Sequence, residues 1–286
     1  MDLRWLGHET CSDVSLVGGK AASLSRLAAD YCVPAGFCLT TTVLEQWTNG
    51  DDRDAPSSRA RDALADAYRE LGERCGEIDV RVAVRSSAVD EDGHATSFAG
   101  QYETFLNVSG FTGLVEAVGG CLASSRSPRA VEYRRLNGLP VDRVNLAVLV
   151  QQLVPSDVSA VMFTANPVNS SRDEIVINAS WGLGESIVGG TVTPDMIVVR
   201  KEDLAVLSHH VAEKRRMTVS VQGGTHEADV PKFLRTRAVL EEAQILEMAH
   251  LGLSLESRHG WPVDVECAFH DGRLYLLQCR PITTLG

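Results

Sequence analysis

Hydrophobic residues recur at helical spacing in five parts of the chain. Ala21, Leu24 and Leu27 lie three residues apart behind a pair of glycines. This spacing predicts a glycine turn that leads into a helix over residues 18–29, with Lys20 at the helix start. The same periodicity predicts four further helices, over residues 42–48, 59–75, 113–137 and 235–259.

Segments of alternating or β-branched residues predict the strands, which occupy residues 81–85, 102–108, 144–154, 158–164, 174–179, 195–200, 206–211, 263–269 and 273–278. Two turns are predicted between neighbouring strands, at Pro155-Ser156-Asp157 and at Asp271-Gly272. Strands and helices in this order predict an α+β architecture of two lobes with a hinge near the first of these turns. The lobes are expected to cover residues 1–154 and 155–286.

Composition excludes several classes of protein. The chain has 286 residues, of which 44% are hydrophobic, enough for a sizeable core. A net charge of -11 argues against nucleic acid or an anionic membrane surface as a partner, because both attract basic faces. Seven cysteines without a CxxC pair indicate reduced, inert thiols, and no apolar run approaches the roughly 20 residues of a membrane helix. We therefore expect a cytoplasmic protein.

Five short motifs are spread along the chain: Gly18-Gly19-Lys20, Val84-Arg85-Ser86-Ser87, Ser97-Phe98-Ala99-Gly100-Gln101, Ala179-Ser180-Trp181-Gly182-Leu183-Gly184-Glu185 and Leu277-Gln278-Cys279-Arg280-Pro281-Ile282-Thr283. With these motifs the chain resembles the ATP-binding domain of phosphoenolpyruvate synthase and pyruvate phosphate dikinase, and most closely that of the rifampin phosphotransferases. The resemblance implies an ATP-grasp-like fold with the nucleotide between the two lobes.

A triphosphate site is the first implication of this resemblance. Phosphate binding needs backbone N–H groups and cations, and an arginine offers a planar fork while a lysine adds a point charge. Residues 97–101 alone would suggest a simple turn, and two isolated cations would suggest an exposed surface. The resemblance instead implies nucleotide contacts at Lys20, Arg85, Ser97, Gly100, Gln101 and Thr104. It also implies that Lys20 and Arg85 are catalytic.

A magnesium site is the second implication. Counting inward from the Asp271-Gly272 turn places Glu266 and Gln278 nearly opposite each other, so that both oxygens face one ion. The resemblance makes these two residues metal ligands and makes Arg280, two positions further, a catalytic residue that neutralises phosphate charge. The family has tryptophan after the glutamate, where this chain has Cys267. Without the motif, Glu266 alone would suggest an exposed hairpin carboxylate.

The base of the nucleotide is assigned by resemblance to a linker segment that includes Gln151 and Leu153. Relatives have methionine where this chain has Leu153, and leucine retains an apolar wall. Without the resemblance, this segment suggests a buried strand with incidental glutamines. Gly182 and Gly184 lack the third glycine of a dinucleotide fingerprint, which argues against NAD, and we expect them to permit close backbone approach.

The family's phosphoryl carrier is a histidine on a mobile domain that this sequence does not contain. His226 follows glycines, as the carrier histidine does, but no carrier-sized domain surrounds it. We therefore expect Mg-ATP to phosphorylate a histidine on another chain or domain, with release of AMP and phosphate. A self-sufficient kinase or ligase and a non-catalytic nucleotide sensor remain alternatives. The motifs do not indicate the final small-molecule acceptor.

Overall fold

Two large antiparallel sheets and a separate two-stranded sheet are formed by the residues that the computed structural model describes, namely 2–47, 56–90, 103–139 and 145–283. The chain forms two compact units, Met1–Leu153 with Gln222–Gly224, and Val154–Val221 with Thr225–Gly286. The mixed α+β class is thereby confirmed. The division of nucleotide contacts between lobes 1–154 and 155–286 stays a prediction.

The first unit is built on a five-stranded sheet of order β1-β2-β5-β3-β4. Its elements are β1 (Leu3–Trp5), α1 (Val14–Leu27), β2 (Gly36–Leu39), α2 (Thr41–Trp47), α3 (Ser58–Cys75), β3 (Val82–Ala88), β4 (Thr104–Val108), α4 (Gly110–Ser124), α5 (Pro128–Leu136) and β5 (Leu146–Gln152), with a 3-10 turn at Glu9–Ser12. Val82 and Val84 belong to a hydrophobic core that also contains residues of α3 and α4, whereas α1 packs against β3 and β5. Because helices cover this sheet, β5 is an almost continuous hydrophobic strand.

The second unit is built on a six-stranded sheet of order β13-β12-β6-β7-β8-β9. Its elements are β6 (Val158–Phe163), β7 (Glu174–Trp181), α6 (Glu185–Val188), β8 (Asp195–Arg200), β9 (Val206–His210), β10 (Arg216–Val221), β11 (Gly224–Asp229), α7 (Glu242–His259), β12 (Val263–His270) and β13 (Arg273–Pro281). Helix α7 packs on β12 and β6, where Gly252 leaves room for the Met162 side chain. The opposite face of β12 and β13 carries the polar residues described below.

Several local predictions are confirmed. Helix α3 matches the expected 59–75 helix, begins behind a Ser57 cap and ends at Gly76, whose φ of 71° is favourable only for glycine. The β12–β13 hairpin turns at Asp271 and Gly272 as expected. Turn chemistry and short-range periodicity are local signals, which explains why the sequence was sufficient here.

Three predicted elements are wrong. Residues 155–157 do not form a hairpin turn, because β5 and β6 belong to different sheets. The single helix over 113–137 is two helices, since Pro128 cannot continue α4 and Ser127 caps α5 instead. The last helix begins at Glu242 rather than at residue 235, because Glu241 and Gln244 form a capping box there.

No helix in the described ranges has both the length and the apolar character needed to cross a membrane.

Thiol reactivity provides a direct test of the packing. Five of the seven cysteines are buried, and burial raises the pKa of Cys11 to about 11 and that of Cys121 to about 12. Because the thiolate is the reactive form, we expect a disulfide reagent at pH 8 to find at most two fast sites in the native protein, Cys32 and Cys75, and Cys75 should be the slower because partial burial raises its pKa. Unfolding in guanidinium should expose all seven, and Cys32→Ser should remove one fast site. Three or more fast equivalents in the native wild type would contradict this packing.

Candidate functional site

Lys20 is positioned by a close contact between α1 and β3. Gly18 has a φ of 73°, and a Cβ atom there would lie 2.0 Å from the Ser87 carbonyl oxygen. The Ser87 hydroxyl donates to the Val17 carbonyl at 2.7 Å and accepts from the Ala21 N–H at 3.2 Å. Glycine is therefore required for this approach, which places the Lys20 ammonium 3.3 Å from the Ser86 carbonyl oxygen that accepts its hydrogen bond.

Arg85 lies on β3, one residue before that carbonyl group. It pairs across the sheet with Leu149 of β5 and with Thr104 of β4, and alternation puts its side chain on the same face as Ser87. Lys20 and Arg85 are thus brought to the same stretch of β3, and Thr104 lies beside it. Ser97, Gly100 and Gln101 fall outside the described residues.

Asp90 and Glu103, the described residues on either side of 91–102, form hydrogen bonds with α5 and α4 respectively. Asp90 accepts a hydrogen bond at 2.8 Å from Arg134, whose side chain is only 2% exposed. On the other side, the Glu103 N–H donates to Ser124 at 3.3 Å. The sequence analysis missed Arg134, because a single arginine in an arginine-rich helix gives no signal of burial.

Gln151 and Leu153 lie at the end of β5. The Gln151 side chain is buried and its amide donates to the Pro34 carbonyl at 3.1 Å, so it holds the turn before β2. The Leu153 N–H donates to the Arg81 carbonyl at 2.8 Å. The side-chain amide of Gln151 therefore stabilises the protein's own backbone, and contact of this segment with a nucleotide base stays a prediction.

The β12–β13 hairpin brings together the predicted metal ligands and Arg280. Glu266 is the cross-strand partner of Gln278, and Asp264 is the partner of Arg280. Because positions two apart on a strand share a face, all four side chains lie on one face of the sheet. A β-bulge follows Glu266, so the register changes beyond this group and not within it.

Asp264 is a residue that the sequence analysis missed. Arg280 donates to one Asp264 carboxylate oxygen from Nε at 2.9 Å and from Nη2 at 2.7 Å. Burial raises the pKa of Asp264 above its usual value, Arg280 partly opposes this rise, and the nearby Glu266 adds to it. Strand alternation from Glu266 was the signal that could have found this side chain.

The glycine motif after β7 makes a close approach, but to the protein's own backbone. Gly182 has a φ of 79°, and a Cβ atom there would lie 2.3 Å from the Thr218 carbonyl oxygen of β10. The nearby Glu185 accepts a hydrogen bond from the Thr225 hydroxyl at 3.0 Å. These contacts tie the start of α6 to the β10–β11 hairpin.

Cations beside one sheet and a carboxylate–amide pair on another are typical of proteins that bind nucleotide phosphates with a divalent cation. The family described as "Pyruvate phosphate dikinase, AMP/ATP-binding domain" matches residues 53–286. The chain belongs to this family, which confirms the resemblance drawn from its motifs.

Relatives of two kinds match nearly the whole chain. A probable phosphoenolpyruvate synthase of Methanocaldococcus jannaschii is 38% identical over 317 residues, covering 99% of this chain and 27% of that protein. A phosphoenolpyruvate synthase of Pyrococcus furiosus is 36% identical, covering 99% and 44%. A rifampicin phosphotransferase of Streptomyces sviceus is 37% identical, covering 96% and 35%. The chain thus spans less than half of each of these relatives.

Among solved structures, D-alanine-D-alanine ligase from Helicobacter pylori overlaps 95% of this chain and 56% of its own, with a TM-score of 0.42 and 9% identity. Cdc123 from Schizosaccharomyces pombe overlaps 91% of this chain and 81% of its own, with a TM-score of 0.40 and 10% identity.

Proposed function

We propose that this chain is the ATP-binding part of a cytoplasmic dikinase-type phosphotransferase. In this proposal ATP gives its β-phosphoryl group to a carrier histidine on another chain or domain, and water takes the γ-phosphoryl group. AMP, phosphate and a phosphohistidine are the products. The proposal rests on membership in the AMP/ATP-binding family together with the chemistry of the β12–β13 hairpin.

The observation that carries the proposal is the placement of Glu266, Gln278 and Arg280 on one sheet face. The carboxylate and the amide oxygen can bind a cation, and the adjacent guanidinium group can neutralise phosphate charge. A protein that only sensed nucleotide would need phosphate affinity but not this combination. We therefore favour transfer over sensing.

The hairpin donors fit Mg²⁺, because Glu266 and Gln278 offer the hard oxygen ligands that this ion prefers. When bound, Mg²⁺ would neutralise phosphate charge and orient the phosphates. Asp264 keeps the Arg280 guanidinium over the same face through two hydrogen bonds. Such fixed positive charge favours a reaction in which negative charge builds up on the transferred group.

The first unit would hold the remainder of the nucleotide. Lys20 and Arg85 are proposed to bind the triphosphate and to act in transfer, because the Lys20 ammonium group of α1 reaches the stretch of β3 that carries Arg85. Ser97, Gly100, Gln101 and Thr104 are proposed phosphate contacts, and the segment with Gln151 and Leu153 a proposed base contact. The proposal does not specify the small molecule that finally accepts the phosphoryl group.

Phosphorus NMR of the purified chain with Mg-ATP tests this function. We expect no turnover with the chain alone, and AMP, phosphate and a phosphohistidine signal when a carrier-histidine domain of a relative is added. The control is the same carrier with its histidine replaced by alanine, which should abolish AMP formation.

The products distinguish the alternatives. ADP formed without any carrier would contradict the proposal and would favour a self-sufficient kinase or ligase. Tight ATP binding without turnover, with carriers from both kinds of relative, would contradict transfer and favour a sensor.

A further inference from the structure

Three metal-ligating side chains meet at the end of the second sheet, outside the site described above. Asp157 directly precedes β6, and His270 and Asp271 lie at the β12–β13 turn. One ligand atom from each residue lies within 4.8 Å of the other two. The Asp157 carboxylate is 3.5 Å from His270 Nδ1, and the Asp271 carboxylate is 3.6 Å from His270 Nε2.

The imidazole of His270 gives a second and independent observation. The side chain is 32% exposed, but its Nδ1 atom is shielded from solvent and makes no hydrogen bond among the described residues, although the Asp157 carboxylate lies 3.5 Å away. A buried polar atom without a partner is costly, and most such atoms in proteins are satisfied. A metal ion would provide the missing interaction, since imidazole nitrogen is the commonest protein ligand for transition metals.

The backbone already holds these three residues close together. The Asp157 N–H donates to the Phe269 carbonyl at 2.9 Å, and the Asp271 N–H donates to the Asp157 carboxylate at 3.0 Å. A third hydrogen bond joins the Gly182 N–H to the Asp157 carbonyl at 2.9 Å. Because the framework is formed by these contacts, a metal ion would have little chain left to order.

We propose that Asp157, His270 and Asp271 bind one divalent transition-metal ion of the zinc class, with water completing the coordination. One nitrogen and two carboxylates favour such an ion over Mg²⁺, which prefers oxygen ligands only. The site lies four residues along β12 from Glu266, about 13 Å at the usual rise of a strand. It is therefore separate from the Glu266–Gln278 pair, which lies further along the same hairpin. An ion there would tie the segment that enters β6 to the hairpin that carries Glu266 and Gln278.

Calorimetric titration of the untagged full chain with Zn²⁺ tests the site, and Co²⁺ absorption reports its ligands. We expect one equivalent to bind and to raise the melting temperature of the wild type. His270→Ala should abolish both effects, while Asp157→Asn and Asp271→Asn should each weaken binding at least about tenfold. His226→Ala removes an exposed histidine elsewhere on the same unit and should bind Zn²⁺ like the wild type.

The Glu266→Gln variant distinguishes this site from the Glu266–Gln278 pair on the same hairpin. Under the proposal it retains Zn²⁺ binding, whatever its effect on ATP turnover. The proposal is overturned if the wild type takes up no saturable Zn²⁺, if His270→Ala and Asp157→Asn bind unchanged, or if Glu266→Gln alone abolishes binding. Far-ultraviolet circular dichroism of each variant shows whether it is folded. If His270→Ala is unfolded, Asp157→Asn and Asp271→Asn still test the proposal.

Discussion

Replacement of Arg280 by methionine is expected to lower carrier-dependent AMP formation by about 10²–10³-fold, the usual effect of removing one charge-stabilising donor from a transfer site. Methionine keeps the length and apolar stem of the side chain but not its charge. Arg280 lies on the same face as Glu266 and Gln278, where transferred phosphate charge would develop in the proposed reaction. AMP formation measured by phosphorus NMR with a carrier domain checks the expectation.

Binding and transfer must be measured separately for this variant. ATP affinity is expected to fall less than turnover, because a charge that matters most in the transition state changes the rate more than ground-state binding. Arg273→Met is the matched control, since Arg273 lies at the other end of β13, exposed above the Tyr275 ring. It should leave turnover unchanged.

Loss of Arg280 also leaves the buried Asp264 carboxylate without its guanidinium partner, so the fold must be checked by thermal unfolding. Arg280→Lys provides a second variant, which keeps the charge but not the planar pair of donors to Asp264. It should be intermediate in turnover. Wild-type turnover in a folded Arg280→Met protein would show that Arg280 has no part in transfer.

The hairpin illustrates what could be predicted from this sequence. An Asp-Gly pair between alternating strands fixes a turn, and counting from that turn places Glu266 opposite Leu277, one position short of Gln278. The same alternation extends to Asp264, which the sequence analysis missed because no motif drew attention to it. Local rules were therefore sufficient for the turn but not for the register of the site, because the β-bulge after Glu266 makes Gln278 its partner.

The connection between β5 and β6 illustrates what local rules do not provide. Pro155-Ser156-Asp157 has the chemistry of a hairpin turn, but β5 pairs with β2 and β3 while β6 pairs with β7 and β12. Turn residues bend the chain without specifying which strands then pair, because pairing depends on packing against distant segments. The two sheets could not be assigned without the structure.

The most buried ion pair of the second unit was likewise beyond sequence analysis. The side chains of Lys214 and Asp195 are both fully buried and form a hydrogen-bonded salt bridge with each other. Lys214 also donates to the Ala212 carbonyl at 2.8 Å, while Asp195 accepts from the Ala212 and Val239 N–H groups, each at 2.9 Å. The pair thus joins the start of β8 to the segments before β10 and before α7. Nothing in the spacing of these residues indicates their contact.

Lys214→Met is therefore expected to destabilise the second unit by about 3–5 kcal/mol, because it leaves the Asp195 carboxylate buried without a counter-charge. Urea unfolding measures the loss, and hydrogen exchange should show the Val239 N–H among the amides that become less protected. Arg200→Met breaks an exposed pair with Asp203 on the same sheet and should not change the midpoint.

A double variant distinguishes the loss of the ion pair from the loss of lysine packing. If the unpaired carboxylate causes the instability, Lys214→Met combined with Asp195→Asn should be less destabilised than the sum of the two single variants. The asparagine still accepts hydrogen bonds from the Ala212 or Val239 N–H groups but carries no charge. Strict additivity, or a Lys214→Met midpoint equal to that of the wild type, would show that the pair does not hold these three segments together.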